Sequence, residues 1–183
     1  MSPPRDWVVV MMDEAIDAAE VAIPRVEPAA TPAEPFDELY RRTVGIMTQV
    51  AWALVGDRRI AEEVAHDAYA AVYQRDGRLE RPEAYLRVCV VNGCKRHLRR
   101  TAKVKQLVDG MAASELEGVV EHGYDHLLEL VRRLPARHRE VVVLRYQLGL
   151  TEPEIADTLA IPVGSVKSRL HRAKARLREE LER

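Results

Sequence analysis

Cysteine is scarce in this chain, with only Cys89 and Cys94 among 183 residues. Five positions apart on a helix, two side chains diverge by about 140°, too far around to be bridged. Free thiols in a reducing cytosol are therefore expected, rather than a disulfide-stapled secreted domain. Long hydrophobic runs are missing too. The longest apolar stretch near the start, Trp7 to Met12, falls far short of the ~20 residues that a bilayer-crossing helix needs. It leads to no small-residue cleavage site, so the expectation is a soluble, cytoplasmic protein with no membrane association. No segment alternates apolar and polar residues for long, and strand-like Gly/Asn turns are absent, which argues against a sheet. There is no Gly-rich phosphate loop and no Cys/His cluster with closed metal spacing. No cofactor, no metal and no enzymatic activity are expected.

Two partial motifs need weighing against that reading. Gly164-Ser165 opens a helix with no strand before it, so it is not a nucleophile elbow. His122 and His126, with Glu121 and Asp125 nearby, have a spacing that zinc accepts, but a solvated pair on a glycine-flanked linker is the preferred reading. Charge of one sign is also lacking overall: 28 Lys and Arg face 29 Asp and Glu. The total gives no hint of a nucleic-acid partner, so the distribution along the chain decides.

That distribution is uneven. Six of the ten prolines precede Phe36, in a segment with two Arg against seven Asp and Glu. Residues 1–34 are expected to form a disordered acidic tail. From Phe36 onward the pattern is helical, and an all-α protein of two small helical domains joined by a flexible linker is expected. The first domain spans 35–101. Its first helix runs from about Pro35 to Val55 and is closed by Gly56. Asp57 is a good N-cap for a second helix, in which Ile60, Val64, Ala68 and Val72 repeat at i, i+4. Pro82 suits the first turn of a third helix that reaches Arg100 or beyond. Residues 102–124 lose periodicity and read as the linker, partly helical. The second domain spans 125–183, beginning with the stripe Leu127, Leu130, Val131, Leu134.

The sharpest local signal lies at the C-terminal end. Thr151 and Glu154 fit a capping box, in which each side chain satisfies a free backbone N–H at a helix start. Pro153 sits in the first turn, where its missing N–H costs little. Ile155, Ala156 and Leu159 supply the buried face of a short helix, and Ala160 to Gly164 turn the chain into a last one. There Val166, Leu170, Ala173 and Leu177 form one apolar stripe. Ser168, His171 and Arg172 fall opposite it, with Lys167, Arg169, Lys174, Arg176 and Arg178 alongside. Between Pro162 and Arg178 the chain carries six Lys and Arg and no acid. A hydrophobic back and a cationic, hydrogen-bonding front make a helix-turn-helix recognition helix for the major groove, not merely a solvated basic face.

The third helix repeats this theme. From Arg81 to Lys105 it holds eight Lys and Arg and one acid, Glu83. Leu86, Val90, Gly93 and His97 share one face, Lys95 lies diametrically opposite Leu86, and Asn92 and Arg99 lie near Lys95. Phosphate neutralisation with some base contact fits such a surface. The second helix is acidic instead, with Glu62, Glu63 and Asp67. It reads equally as a face for a basic protein partner or as a solubilising surface.

These residues resemble a known family. Phe36-Asp37-Glu38-Leu39-Tyr40, then Gly56-Asp57-Arg58, Ala61-Glu62-Glu63-Val64 and Asp67-Ala68-Tyr69, are similar to region two of the extracytoplasmic-function (ECF) sigma factors of the bacterial sigma-70 family. Arg81-Pro82-Glu83-Ala84-Tyr85-Leu86 and Val90-Val91-Asn92 continue the match. Leu134-Pro135, Arg139-Glu140-Val141, Thr151, Glu154-Ile155-Ala156 and the run Gly164 to Ala173 resemble region four. The resemblance implies an RNA polymerase sigma factor that binds core polymerase and directs promoter recognition and transcription initiation. The second helix, through Glu63 and Asp67, would bind the β′ clamp helices, and region four the β flap. Ser165, Lys167, Ser168, Arg169, His171 and Arg172 would meet the −35 element in double-stranded promoter DNA. Arg87, Asn92, Lys95, Arg96 and Arg99 would meet the −10 element. The loop Asp76 to Arg81 would capture a base flipped from the single-stranded non-template strand. Tyr69, Tyr73 and Tyr85 are candidate stacking residues, with packing the favoured role. An anti-sigma factor is the usual further partner of the type. The acidic tail is a departure from the pattern, and its sign suggests that it shields a basic DNA-binding face. The alternative, a stand-alone helix-turn-helix regulator, leaves the first domain unexplained.

Overall fold

The computed structural model describes residues 35–75, 78–108 and 125–182, with side chains left out at 105–108 and 125–127. The expected N-terminal tail, Asp76 and Gly77 of the loop expected to capture a base, residues 109–124 of the expected linker, and the side chains of His122, His126 and Leu127 lie outside that description. Among the described residues every regular element is helical: α1 (Phe36–Val55), α2 (Arg58–Tyr73), α3 (Pro82–Val108), α4 (Asp125–Arg133), α5 (Ala136–Tyr146), α6 (Glu152–Leu159) and α7 (Val163–Leu181).

Local chemistry explains the boundaries. Asp37 and Glu38 sit in the first turn of α1, where the helix dipole favours acids. Gly56 ends α1 in the left-handed region at φ 83°, its N–H donating to the Trp52 carbonyl. Asp57 then caps α2, its Oδ1 accepting from the Ile60 N–H at 3.0 Å. α3 continues to Val108 because neither glycine nor proline interrupts it between Gly93 and Gly110. The early part of the expected linker is thus helix.

The first three helices form one bundle around Leu39, Met47, Val50, Leu54, Ala61, Ala68, Val72, Leu86 and Val90, all at most 3% exposed. Burying each large side chain here is worth roughly 1.5–3 kcal/mol. Tyr69 belongs to this core: it is buried and its hydroxyl pairs with Thr43 Oγ1 at 2.7 Å. Thr43 in turn donates to the Leu39 carbonyl, so the Tyr69 hydroxyl is the donor in that pair. Cys94 is buried as well, and burial pushes its thiol up to about 12, which leaves it protonated and inert. Both cysteines are free.

The last four helices form a second bundle on Leu130, Leu134, Val141, Leu144, Ile155, Leu159, Val166, Leu170 and Leu177. The two bundles pack directly on each other, α1 against α4 and α5, and α3 against α6. Arg139 of α5 donates from Nη1 to the Leu54 carbonyl at 2.7 Å. That carbonyl is one of the four at the end of α1 with no intrahelical partner, so an arginine of one domain caps a helix of the other. The Arg132 guanidinium lies 4.4 Å from the centre of the Trp52 ring. Lys95 and Glu140 approach to 3.6 Å.

Gly93 records how tightly α2 and α3 meet. A Cβ there would lie 2.7 Å from Val64 Cγ1, and a valine on a helix has little rotamer freedom to yield. Helix propensity favours alanine over glycine by about 1 kcal/mol, so the two effects oppose. Overpacking of about 1–3 kcal/mol should win. Gly93→Ala is expected to lower the melting temperature, and to raise it when combined with Val64→Ala. Thermal melts of both single variants and the double variant test this. A simple sum of the single effects would contradict the close approach.

Candidate nucleic-acid and partner interfaces

The helix-turn-helix is assembled by α6 and α7. Glu154 Oε2 accepts from the Thr151 N–H at 2.8 Å and from the Thr151 hydroxyl at 2.7 Å, while the Glu154 N–H approaches Thr151 Oγ1 at 3.5 Å. The capping box is therefore present, and such a cap is worth about 1 kcal/mol. Burial alone would raise the Glu154 carboxyl. The Thr151 bonds, with Arg87 and Arg81 nearby, outweigh burial and hold it below the usual range. The turn passes through Ala160 in the left-handed conformation at φ 54°, costing about 1–2 kcal/mol in a non-glycine residue. That turn sets the angle at which α7 leaves.

On α7 the stripe Val166, Leu170, Ala173, Leu177 is buried, as the spacing required. Lys167, Ser168, His171 and Arg172 are exposed, and Ser165 and Arg169 are half-buried beside them. Ser168 Oγ donates to the Ser165 carbonyl at 3.1 Å, leaving its lone pairs outward. Lys167 stands 3.8 Å from Glu152 in a solvent-exposed pair, a contact too weak to hold it from a phosphate.

The periodicity of α7 did not reveal what lies behind its basic front. His138 of α5 is 2% exposed, and its Nδ1 has no hydrogen-bond partner among the described residues. Burial, then Arg137, Arg176, Arg172 and Arg169, push its pKa below the ordinary histidine value. Arg137, at the start of α5, thus joins three arginines of α7 in one cationic surface. Its position just after Pro135 was the one signal that could have marked it.

The five cationic or amide candidates on α3 separate into two groups. Asn92, Arg96 and Arg99 recur at i, i+4, i+7 and face solvent. Arg87 and Lys95 turn away from it. Arg87 has an 11% exposed side chain and pairs with Glu83 at 2.9 Å, and Glu83 also binds Arg42 at 2.8 Å. Lys95 points to Glu140 of the second domain. On α2, Glu62, Glu63, His66 and Asp67 line one exposed face. Near the connection between α2 and α3 the Arg75 guanidinium lies 5.3 Å from the centre of the Tyr85 ring, and Tyr73 is 64% exposed with one edge against Phe36. Among the described residues no group of three or more His, Cys, Asp or Glu is placed to hold a metal, and no helix is long and apolar enough to cross a membrane.

Comparison with known proteins places these surfaces in context. Residues 39–104 match the family described as Sigma-70 region 2, and residues 124–177 match Sigma-70, region 4. The chain is 33% identical over 154 residues to the RNA polymerase sigma-E factor of Streptomyces coelicolor, covering 80% of this chain and 85% of that protein. It is 25% identical over 159 residues to the ECF RNA polymerase sigma factor SigW of Bacillus subtilis, covering 73% and 81%. In fold it is similar to the sigma factor RpoE of Bartonella quintana, solved in complex with the anti-sigma factor NepR, with a TM-score of 0.66 at 20% identity over 80% of this chain and 96% of that one. It is also similar to CnrH, solved with the cytosolic domain of CnrY, with a TM-score of 0.58 at 22% identity over 80% and 87%.

The environment of His138 has a measurable consequence. Because its folded pKa lies below the unfolded value of about 6.5, the unfolded chain binds the extra proton first as pH falls. The stability that His138 contributes while neutral is lost on acidification through that window. Relative to His138→Leu, the wild-type chain should lose melting temperature between about pH 7.5 and about pH 5.5. Parallel pH profiles for the two proteins would contradict the assignment.

Proposed function

The chain belongs to the extracytoplasmic-function group of the sigma-70 family, and from that membership we propose how its two domains divide the work of carrying core RNA polymerase to a promoter. α7 lies in the major groove of the −35 element. There Lys167 and Arg172 meet phosphates or guanine edges, Ser168 and His171 hydrogen-bond to bases, and Ser165 and Arg169 brace the entry of the helix. α3 meets the −10 element with Asn92, Arg96 and Arg99, joined by Arg87 and Lys95 once they are free of their carboxylates. The loop between α2 and α3 receives a base flipped out of the non-template strand, at a cost of a few kcal/mol that the polymerase helps to offset. The acidic face of α2, with Glu63 and Asp67, docks on the β′ clamp helices, and the second domain docks on the β flap. The chain works in the cytoplasm, where the polymerase is, and leaves catalysis to it. Two solved relatives by fold are captured with an anti-sigma factor or a partner's cytosolic domain, which supports an anti-sigma factor as a further partner.

One observation carries this reading above the rival of a stand-alone regulator. Two helices in separate domains each bury an apolar back and expose a cationic front, and an acidic exposed face stands beside one of them. A lone operator-binding module needs only one such helix and no acidic face.

Run-off transcription with core polymerase on a fragment library from a high-GC bacterial genome tests it. Transcripts that depend on the chain and share −35 and −10 elements are expected. Arg172→Ala should weaken promoter binding by ~5- to ~150-fold, in line with ~1–3 kcal/mol for a base contact. Glu63→Lys with Asp67→Lys should lower polymerase binding without lowering the melting temperature, since both side chains are exposed. DNA binding by the chain alone, with no polymerase association and no new transcripts, would instead establish the stand-alone regulator.

A further inference from the structure

Behind the recognition helix lies a polar group that its surroundings leave unsatisfied. His138 sits on α5, which packs along α7. It is buried, and its Nδ1 has no hydrogen-bond partner among the described residues. A leucine would fill this place without stranding a polar atom, so packing alone does not account for an imidazole. Along α7, Arg169, Arg172 and Arg176 recur at i, i+3, i+7 and flank the buried stripe on one side, while Arg137 precedes His138 on α5. Arg137, Arg172 and Arg176 are exposed, and Arg169 is half-buried. Burial, then Arg137, Arg176, Arg172 and Arg169, are the strongest influences against a proton on His138. The other helices packed on α5 bring no charge that outranks them. α1 presents the Leu54 carbonyl to Arg139, and Arg132 of α4 lies over Trp52. Glu154 of α6 is bonded to Thr151, and Lys95 of α3 faces Glu140, which also interacts with Arg169.

We propose that His138 couples promoter binding to a proton: its imidazole is neutral in the free chain and takes a proton from solvent when DNA phosphates settle on Arg137, Arg172 and Arg176. This rests on the reading of α7 as the −35 helix and adds to it a dependence on pH. The cause is electrostatic. In the free chain a charged imidazole would be buried beside four arginines. Phosphates at the outer arginines cancel much of that repulsion, while the burial stays as it was. The complex therefore accepts a proton more readily than the free chain does. By linkage the converse holds as well, and protonation of His138 strengthens the phosphate contact. The sign follows from the order of the two states. Affinity rises as pH falls through the range where the complex is protonated and the free chain is not, and it levels off once both are. Acid weakens the fold of the free chain through the same group, so bound DNA matters more to its stability in that range.

The test measures promoter affinity of the full chain with core polymerase, by fluorescence anisotropy on a fragment recovered by run-off transcription, at about pH 7.5 and about pH 6. Over this interval the wild-type affinity should rise roughly three- to tenfold more than that of His138→Gln, since one linked proton is worth up to about tenfold per pH unit. His171 is exposed on α7 in both chains and drops out of the comparison. Calorimetry in buffers of different ionisation enthalpy should show more proton uptake on binding for wild type than for His138→Gln. Arg137→Gln and Arg176→Gln, both changes at exposed positions, should each lose part of the wild-type pH effect, with circular dichroism showing that they keep their helices. Parallel pH profiles for wild type and His138→Gln overturn the coupling. So does an undiminished pH effect in both arginine variants, which decide the matter alone if His138→Gln fails to fold. Absence of chain-dependent transcription counts against the sigma-factor reading instead, and the coupling is then judged by the same profiles for the free chain on random-sequence duplex DNA.

Discussion

A helix in a bundle this small can bury only one face, and everything functional here depends on how the other faces are spent. α2, α3 and α7 each turn an apolar stripe inward: Ala61, Val64 and Ala68; Leu86 and Val90; Val166, Leu170 and Leu177. What remains outward is an acidic patch of Glu62, Glu63 and Asp67 on α2 and a cationic front on α3 and α7. The side chains that would touch polymerase and DNA are therefore set by the same register that forms the core. A one-residue slip in any stripe would misplace both.

Between the domains a different interaction governs. The buried apolar side chains of the two domains run on into one cluster, and arginines close its edge. Arg139 satisfies a helix-end carbonyl that would otherwise be left bare, and Arg132 spreads over Trp52. Planar guanidinium groups suit such half-buried roles because they bond in a fixed fork and stack on rings.

Much of this was legible in the sequence where the signal is local. The capping box at Thr151 and Glu154, the Asp57 cap and the stripe on α7 rest on spacings of three or four residues, and the structure shows each of them. The exposure of Asn92 and Arg99 followed equally from helical geometry, while Arg96 was implied only by the family resemblance. What periodicity missed depends on contacts distant in sequence. Lys95 was placed on an open face opposite Leu86, but only the fold brings Glu140 to it, 45 positions further on. The buried, unpartnered His138 and its ring of arginines depend on how α5 crosses α7. The tight meeting of Gly93 and Val64 depends on an inter-helix distance that a single helix pattern does not encode.

In the proposed function α3 and α7 touch separate elements of one promoter, and only in the company of core polymerase. Site-specific photocrosslinking from positions 96 and 171 to promoter DNA tests it most directly. With polymerase present, position 171 should crosslink at the −35 element and position 96 at the −10 element of the same fragment. Crosslinks from both positions to a single element, or the same pattern from the chain without polymerase, would contradict it.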